Sequence, residues 1–543
     1  VNQKSRGRLF FLSFSLRTLQ RDILAGFTVS LLALPLCIGI SAASGFPPVA
    51  GVFTAIIGGI LVSFISGAHL TIKGPAAGLI VIALGAVTEL GNEQPAEGYR
   101  YALASIVIAG IIQVILGLAR AGMMADFFPH SVVKGMLSAI GLIIAVRQFF
   151  PMMGYKPQHT DFFSLLTEIP SAILNIHPVA GGIGLFSLVF LIVYPHVLPQ
   201  ASKKLPGPLL MLAAASLLAY IFGLESAETS QSGHTIRPAN FMVQVPSRLI
   251  EGITLPDFSR WYDFRFLKYV VLFSLVGTLE TLVSAKAVES MDPWRRHAPL
   301  NRDLTGVGVG NVMAGMVGGL PMITEIVRSS ANINSGARTW WSNVFHGIFL
   351  LGFLTLFTGL IQRVPLSALG ALLVYTGYQL ARPDKFIRAQ NVGVEQVLVM
   401  SVTTLLTVFT DLLIGLLGGT LAKYIFLLTR GLDIRYSFRV KVRQEIQEPG
   451  CEITLALQSA LVFCNFFSLR RTISLLPVAK KITIDFRNCP LVDHTSLQHL
   501  QEIGKLRLKQ GGAMELKGLE TMISRSQHPL ALRIQKKQSH PNV

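Results

Sequence analysis

Gly318-Gly319-Leu320-Pro321-Met322-Ile323-Thr324-Glu325-Ile326-Val327-Arg328-Ser329-Ser330-Ala331-Asn332 places a carboxylate and a guanidinium three residues apart inside an apolar chain. The paired glycines and the proline interrupt any helix that would carry them. An ionised side chain near the centre of a bilayer costs about 2.5–3.5 kcal/mol even on lenient insertion scales. Two such side chains beside a break in a helix therefore read as a functional site.

The surroundings justify the membrane premise. The chain has 543 residues, 51% hydrophobic and 14% charged, with a mean hydropathy of +0.54. Soluble domains carry about 25% charged residues. Apolar stretches near transmembrane length recur from Ile23–Ala43 to Leu412–Leu428. With the weaker stretches Leu304–Val317 and Met322–Ile333, they predict about 14 membrane segments.

The net charge of +18 could suggest nucleic-acid binding, but its distribution excludes that class. Lys and Arg cluster at Lys4 to Arg21, Lys203-Lys204, Arg295 to Arg302, Arg382 to Arg388 and from Arg430 onward. The intervening loops are acidic or neutral, as at Glu89, Glu93 and Glu97 and from Glu225 to Asp263. The positive-inside rule then puts both termini in the cytoplasm. The basic N-terminus leads straight into a full-length span, with no cleavable signal expected. Cys37, Cys451, Cys464 and Cys489 have no metal-ligand spacing, and they read as inert.

The sequence divides into a basic N-terminus (1–20), a transmembrane domain (21–430), a linker (431–450), a small α/β domain (451–533) and a basic, disordered tail (534–543). In the α/β part, Glu452–Leu457, Ala460–Phe463, Lys481–Phe486 and Met514–Leu516 read as strands, and Ser468–Leu476 and Ser496–Lys509 as helices.

A second interrupted stretch lies in the first half, at His69-Leu70-Thr71-Ile72-Lys73-Gly74-Pro75-Ala76-Ala77-Gly78. Paired interruptions at corresponding positions point to a transporter site built from discontinuous helices. Each half-helix start presents unpaired N–H groups and a positive dipole end, so two facing starts suit an anion. Arg328 and Lys73 would add positive charge there. Glu325 reads either as a cation- or proton-binding carboxylate or as a neutralising partner of Arg328. Glu280 lies in the apolar span from Phe273 to Ser284, with Ser284 one turn later on the same helix face. That pair suits Na+ coordination or proton carriage.

The same residues resemble those of the SulP (sulfate permease) family. Ala33 to Ile40 and Ser44 to Gly51 are similar to its first-helix signature, Lys73 to Ala77 to its third segment and Gly318 to Asn332 to its tenth. The C-terminal unit resembles a STAS domain. The resemblance implies a multi-span α-helical fold of about 14 segments in two inverted seven-segment repeats, a UraA-like core and gate, with a cytosolic STAS-like domain. It also implies a homodimer, lipid around it and a cytosolic partner for the STAS-like domain.

Carried over by position, the resemblance places substrate at Arg328, Val327 and Ser329, at Lys73, Gly74, Pro75 and Ala76, and at Leu36 and Ile40 on the first helix. It places a coupling site, with Na+ as the candidate metal, at Glu280, Ser284 and Thr324. Glu325 beside Thr324 departs from the bicarbonate-transporting members and is more like the proton-coupled nucleobase carriers. In the STAS-like domain, Thr495 takes the place of the serine that is phosphorylated in the anti-sigma antagonists, and the usual following glycine is Ser496.

These features predict a non-enzymatic secondary transporter of sulfate or bicarbonate in the bacterial inner membrane, working by alternating access. No cofactor is expected beyond a coupling H+ or Na+. Rival readings are a nucleobase–proton symporter on the same fold, a passive anion channel and a membrane-anchored STAS signalling protein.

Overall fold

A computed structural model of the chain describes residues 16–535, apart from 93, 123–128, 160–161, 203–206, 225–228, 232–233, 237–240, 244–248, 295, 297, 411, 448–451, 478–480, 510 and 525. Most of the basic N-terminus, nearly all of the tail, and Cys451 lie outside the described residues. Most of the described residues are helical, and the protein is a multi-pass membrane protein. Five described helices are long and apolar enough to span a bilayer, and seven more are apolar but shorter.

The first half contains α1 (Leu16–Ala43), α2 (Ala50–Ile65), β1 (Ile72–Pro75) with α3 (Ala77–Gly91), and α4 (Pro95–Leu118). It continues with α5 (His130–Met153), the short α6 (Phe162–Leu174), α7 (Pro178–Val197) and α8 (Gly207–Ile221). A small hairpin follows, β2 (Thr229–Gln231) and β3 (His234–Ile236).

The second half repeats this order: α9 (Phe264–Met291), α10 (Leu300–Val317), β4 (Met322–Glu325) with α11 (Ile326–Asn334), and α12 (Trp341–Leu356). Then come α13 (Leu366–Ala381), the short α14 (Asp384–Val392), α15 (Val394–Phe409) and α16 (Leu412–Thr429). Each half has an extended break in its third membrane segment and a short helix between its fifth and sixth. This correspondence is the internal symmetry expected of inverted repeats.

The two breaks meet. β1 and β4 pair antiparallel, with Ile72 opposite Glu325, Lys73 opposite Thr324, Gly74 opposite Ile323 and Pro75 opposite Met322. Extended backbone at membrane depth survives only where protein satisfies its polar groups, and here it does. Gly318 ends α10 in the left-handed region at φ +90°, and its carbonyl accepts the Tyr99 hydroxyl at 2.7 Å. The Leu320 carbonyl accepts the Thr54 hydroxyl at 2.9 Å. The Asn311 amide serves both backbone groups of Met322, donating to its carbonyl at 3.1 Å and accepting its N–H at 2.5 Å. The opposite strand is tied in by Ser329, which accepts the Ile72 N–H at 2.8 Å, and by Asn332, which donates to the Leu70 carbonyl at 3.1 Å.

The chain divides into two compact units, Val1–Gly122 with Gly141–Gln379, and Met123–Ile140 with Leu380–Val543. In the first, Ala33, Val52, Leu350 and Leu369 belong to one apolar core built from α1, α2, α12 and α13. Helices α4 and α10 approach closely through glycines, for a Cβ on Gly110 would lie 2.8 Å from the Gly308 carbonyl oxygen. Small residues are how membrane helices pack tightly without a hydrophobic driving force.

The second unit holds the first turns of α5, helices α14 to α16, and the α/β domain. That domain contains β5 (Val442–Gln447), β6 (Glu452–Leu457), α17 (Phe466–Leu475), β7 (Lys481–Asp485) and β8 (Leu491–Val492). It ends with α18 (His494–Lys509), β9 (Ala513–Lys517), β10 (Met522–Ser524) and β11 (Arg533–Gln535). Strands order as β5-β6-β7-β9, with β6, β7 and β9 parallel and β5 antiparallel to β6. Leu455, Phe466, Ile482, Ile484, Phe486 and Leu497 fill its core.

Two sequence expectations need correction here. The polar stretch 431–450, expected as linker, supplies β5, so the STAS-like domain begins inside it. Ala460–Phe463 forms no strand. Only Leu461 makes an isolated bridge, to Val492, and the N–H of Val462 is instead capped by Asn465 at 2.9 Å.

Candidate functional site

The β1–β4 ladder fixes what surrounds the starts of α3 and α11. Glu325 is the residue before α11 and makes no side-chain cap, which leaves the first-turn N–H groups without a side-chain acceptor. Arg328 follows one turn in and is 1% exposed. Its Nη1 reaches the Cys37 thiol on α1 at 3.5 Å, a weak acceptor, and also lies against Gly74 of β1. A side chain at 74 would occupy the guanidinium's place, so glycine is required by close approach. The Arg328 Nε is buried without a hydrogen-bond partner.

Glu325 and Arg328 do not neutralise each other by contact. Among the described residues no salt bridge joins them, and Glu325 Oε1 is buried without a hydrogen-bond partner. They interact through space only, and Glu325 in turn acts on Glu280. Glu280 projects from α9 to the start of α3, where its carboxylate meets Gly78. A Cβ there would lie 2.5 Å from the carboxyl carbon. Its Oε1 also lacks a partner. Ser284 is buried one turn later on the same helix. Three ionisable side chains with buried, unpartnered polar atoms thus converge on the two half-helix starts.

Lys73 does not belong to that group. It is 1% exposed, and its Nζ donates to Asp303 Oδ1 at 2.7 Å and to the Thr71 hydroxyl at 2.6 Å. Asp303, in the first turn of α10, also accepts the Thr324 hydroxyl at 2.9 Å on Oδ2 and the Ser66 hydroxyl on Oδ1. The expected anion ligand Lys73 and the expected cation ligand Thr324 are therefore both committed to one buried carboxylate. The reason is geometric: they face each other across the ladder, and a buried charge is held by pairing.

Other expected contacts sort in the same way. Ser329 is buried, bonded to the Ile72 N–H and donating to the Glu325 carbonyl, so its hydroxyl braces the ladder. Pro75 lies opposite Met322, and the Ala76 N–H is spent on the Pro321 carbonyl at 3.2 Å. The free amides must come from later residues of α3. Val327 is 65% exposed and points away from the buried ladder. Ile40 is buried, whereas Leu36 packs partly against the apolar core of the first unit. Thr495, at the start of α18, is fully buried with its hydroxyl enclosed, so a kinase could reach it only after local opening.

The sequence reading missed Asp303, Asn311 and His346. Asp303 follows Arg302 and looks like one more charge at a loop. His346 on α12 is fully buried, both ring nitrogens lack hydrogen-bond partners, and the Arg328 charge acts on it. A titratable residue within an apolar run was the only available signal for it.

Residues 19–403 match the family described as "Sulfate permease family". The chain is similar to the putative sulfate transporter YvdB of Bacillus subtilis, 27% identical over 428 residues, or 77% of this chain and 76% of that one. It is 24% identical over 417 residues to the bicarbonate transporter BicA of Picosynechococcus sp., covering 76% and 71%. The solved transmembrane domain of a cyanobacterium bicarbonate transporter BicA superposes with a TM-score of 0.62 at 25% identity, over 74% of this chain and 98% of that one. The overall structure of SLC26A9 has the same fold, with a TM-score of 0.67 at 14% identity over 94% and 88%.

Proposed function

The chain belongs to the sulfate permease family, and from that premise we propose that it is a secondary active transporter of a small inorganic anion, sulfate or bicarbonate. The observation that carries this reading is Arg328: a buried guanidinium with an unsatisfied Nε, at the start of a half-helix and against the glycine of a second strand. Leaving such a group unpaired costs several kcal/mol. A tetrahedral or planar oxyanion would recover that cost by accepting from Arg328 and from the first-turn N–H groups.

Coupling rests on Glu280 and Glu325. They stand near each other at the same half-helix starts, and a bound proton or Na+ would compensate their charge while an anion occupies Arg328. The Na+ set would consist of Glu280 and Ser284 without Thr324, whose hydroxyl is engaged by Asp303. Alternating access would move the two half-helices and their load together, since the β1–β4 ladder joins them. A place in a bacterial inner membrane with cytoplasmic termini is supported by the basic loops, and assembly as a homodimer is part of the same proposal.

A second reading, proton-coupled nucleobase transport, is favoured by the two adjacent carboxylates. One experiment separates the two. Purified protein in proteoliposomes is given labelled sulfate, bicarbonate or uracil, with and without imposed H+ or Na+ gradients. Uptake of one anion driven by one gradient is expected. Uptake of uracil alone would replace the anion reading, and anion uptake indifferent to both gradients would reduce the protein to a passive pathway.

A further inference from the structure

Away from the half-helices, the second unit brings together three metal-ligating side chains. We propose that His130, His499 and Glu502 form a binding site for a divalent transition-metal ion of zinc type, joining α18 of the STAS-like domain to the first turn of α5. One ligand atom from each residue lies within 4.8 Å of the other two.

His499 and Glu502 stand three residues apart on one face of α18, with Nδ1 and Oε2 3.5 Å apart. A pair of ligands at this spacing on a helix is a recurrent way of holding a metal. The imidazole of His130 completes the set from a different element, its ring centroid 5.3 Å from that of His499. Its Nε2 is buried without a hydrogen-bond partner, and buried polar atoms are otherwise satisfied.

Two imidazoles and a carboxylate are the ligand types that zinc prefers, with a fourth position left for water. Bonds of about 2.0–2.1 Å in a tetrahedral site put ligand atoms about 3.3 Å apart. The His499–Glu502 separation is already near that, and small side-chain rotations close the rest. His499 is held in place by packing against Phe466 at 5.1 Å between rings. Glu502 is half exposed and lines a cavity of about 520 Å³ that gives an entry route. Lys134, Arg388, Lys505, His494 and His528 line the same cavity. These cationic and titratable neighbours oppose a second positive charge, which makes the single carboxylate of Glu502 decisive for affinity.

The test uses the full chain, purified without a histidine tag, stripped with a chelator and titrated with Zn2+ against a chromophoric competitor. Wild type is expected to bind one ion per chain tightly and to melt at a higher temperature when loaded. His130→Gln and Glu502→Gln are each expected to weaken binding at least tenfold and to lose the thermal shift. His499→Ala is expected to abolish binding, but it also removes a packed ring. Because Glu502 is half exposed, Glu502→Gln leaves the fold intact and isolates the loss of a ligand from any loss of packing. Co2+ should give the intense visible bands of a tetrahedral site in wild type only. Unchanged Zn2+ affinity in both Glu502→Gln and His130→Gln would overturn the site, as would wild type that fails to compete for the ion. None of these three readouts depends on what the protein transports.

Discussion

Two buried polar clusters lie within a few residues of one another along the β1–β4 ladder, and they are built on opposite principles. Around Asp303, both carboxylate oxygens are occupied: Lys73 and Ser66 donate to one and Thr324 to the other. Around Arg328, the polar atoms are left over: Arg328 Nε, Glu325 Oε1 and Glu280 Oε1 are all buried without hydrogen-bond partners. A satisfied buried network holds a fold in one arrangement, while an unsatisfied one stores free energy that a ligand can release. Under the proposed function, the first cluster is the frame of the ladder and the second its cargo site.

The sharpest break of this contrast comes from Asp303→Asn. It strands the Lys73 charge, and removing one partner of a buried pair costs about 3–5 kcal/mol. A large fall in the thermal unfolding midpoint in detergent is expected, partly rescued by the double change Lys73→Met with Asp303→Leu. If Asp303→Asn keeps the wild-type midpoint, the frame assignment is wrong.

Arg328→Met should do the reverse. Anion uptake in proteoliposomes should fall at least thirtyfold, as expected when a charge-assisted contact of about 2–5 kcal/mol is removed. The unfolding midpoint should stay level or rise, since a buried, poorly paired charge is replaced by an apolar chain. A variant that transports normally but melts early would exchange the two roles.

Glu280→Gln keeps shape and burial and removes only the ionisable group. Anion exchange between labelled and unlabelled pools should persist, while uphill uptake driven by an ion gradient is lost. Gradient-driven accumulation at the wild-type level would take coupling away from this residue.

The smallest effect is expected of Gly78→Ala. The new methyl meets the far end of the flexible Glu280 side chain and not backbone, so folding should change by only about 1 kcal/mol. Coupling efficiency should nevertheless drop about tenfold as the carboxylate is pushed aside, a disproportion measurable by comparing gradient-driven with exchange uptake.

Much of this was legible in the chain. Glu280 and Arg328 stood out because charge inside an apolar run is rare, and Gly74-Pro75 and Gly318 to Pro321 because helices cannot cross them unchanged. What failed was partner choice. Lys73 looked like an anion ligand because its partner, Asp303, lies 230 residues away next to Arg302, where an acid reads as loop charge. Thr324 looked free for a cation for the same reason. The strand β5 was hidden because an edge strand facing solvent is polar and lacks a hydrophobic alternation to betray it.

The sequence by itself determined that this is a many-spanned membrane protein, that its third and tenth segments are broken, and that an α/β domain follows. These are properties of local composition and period, additive along the chain. Only the tertiary structure decided which charges are paired and which are left waiting. Pairing depends on distances between residues far apart in sequence, and in a low dielectric a few ångströms separate a satisfied ion pair from an exposed cost. The Glu325–Arg328 spacing that first marked the site proved to be proximity without contact, and the ion pair that does form, Lys73 with Asp303, joins the two halves of the chain.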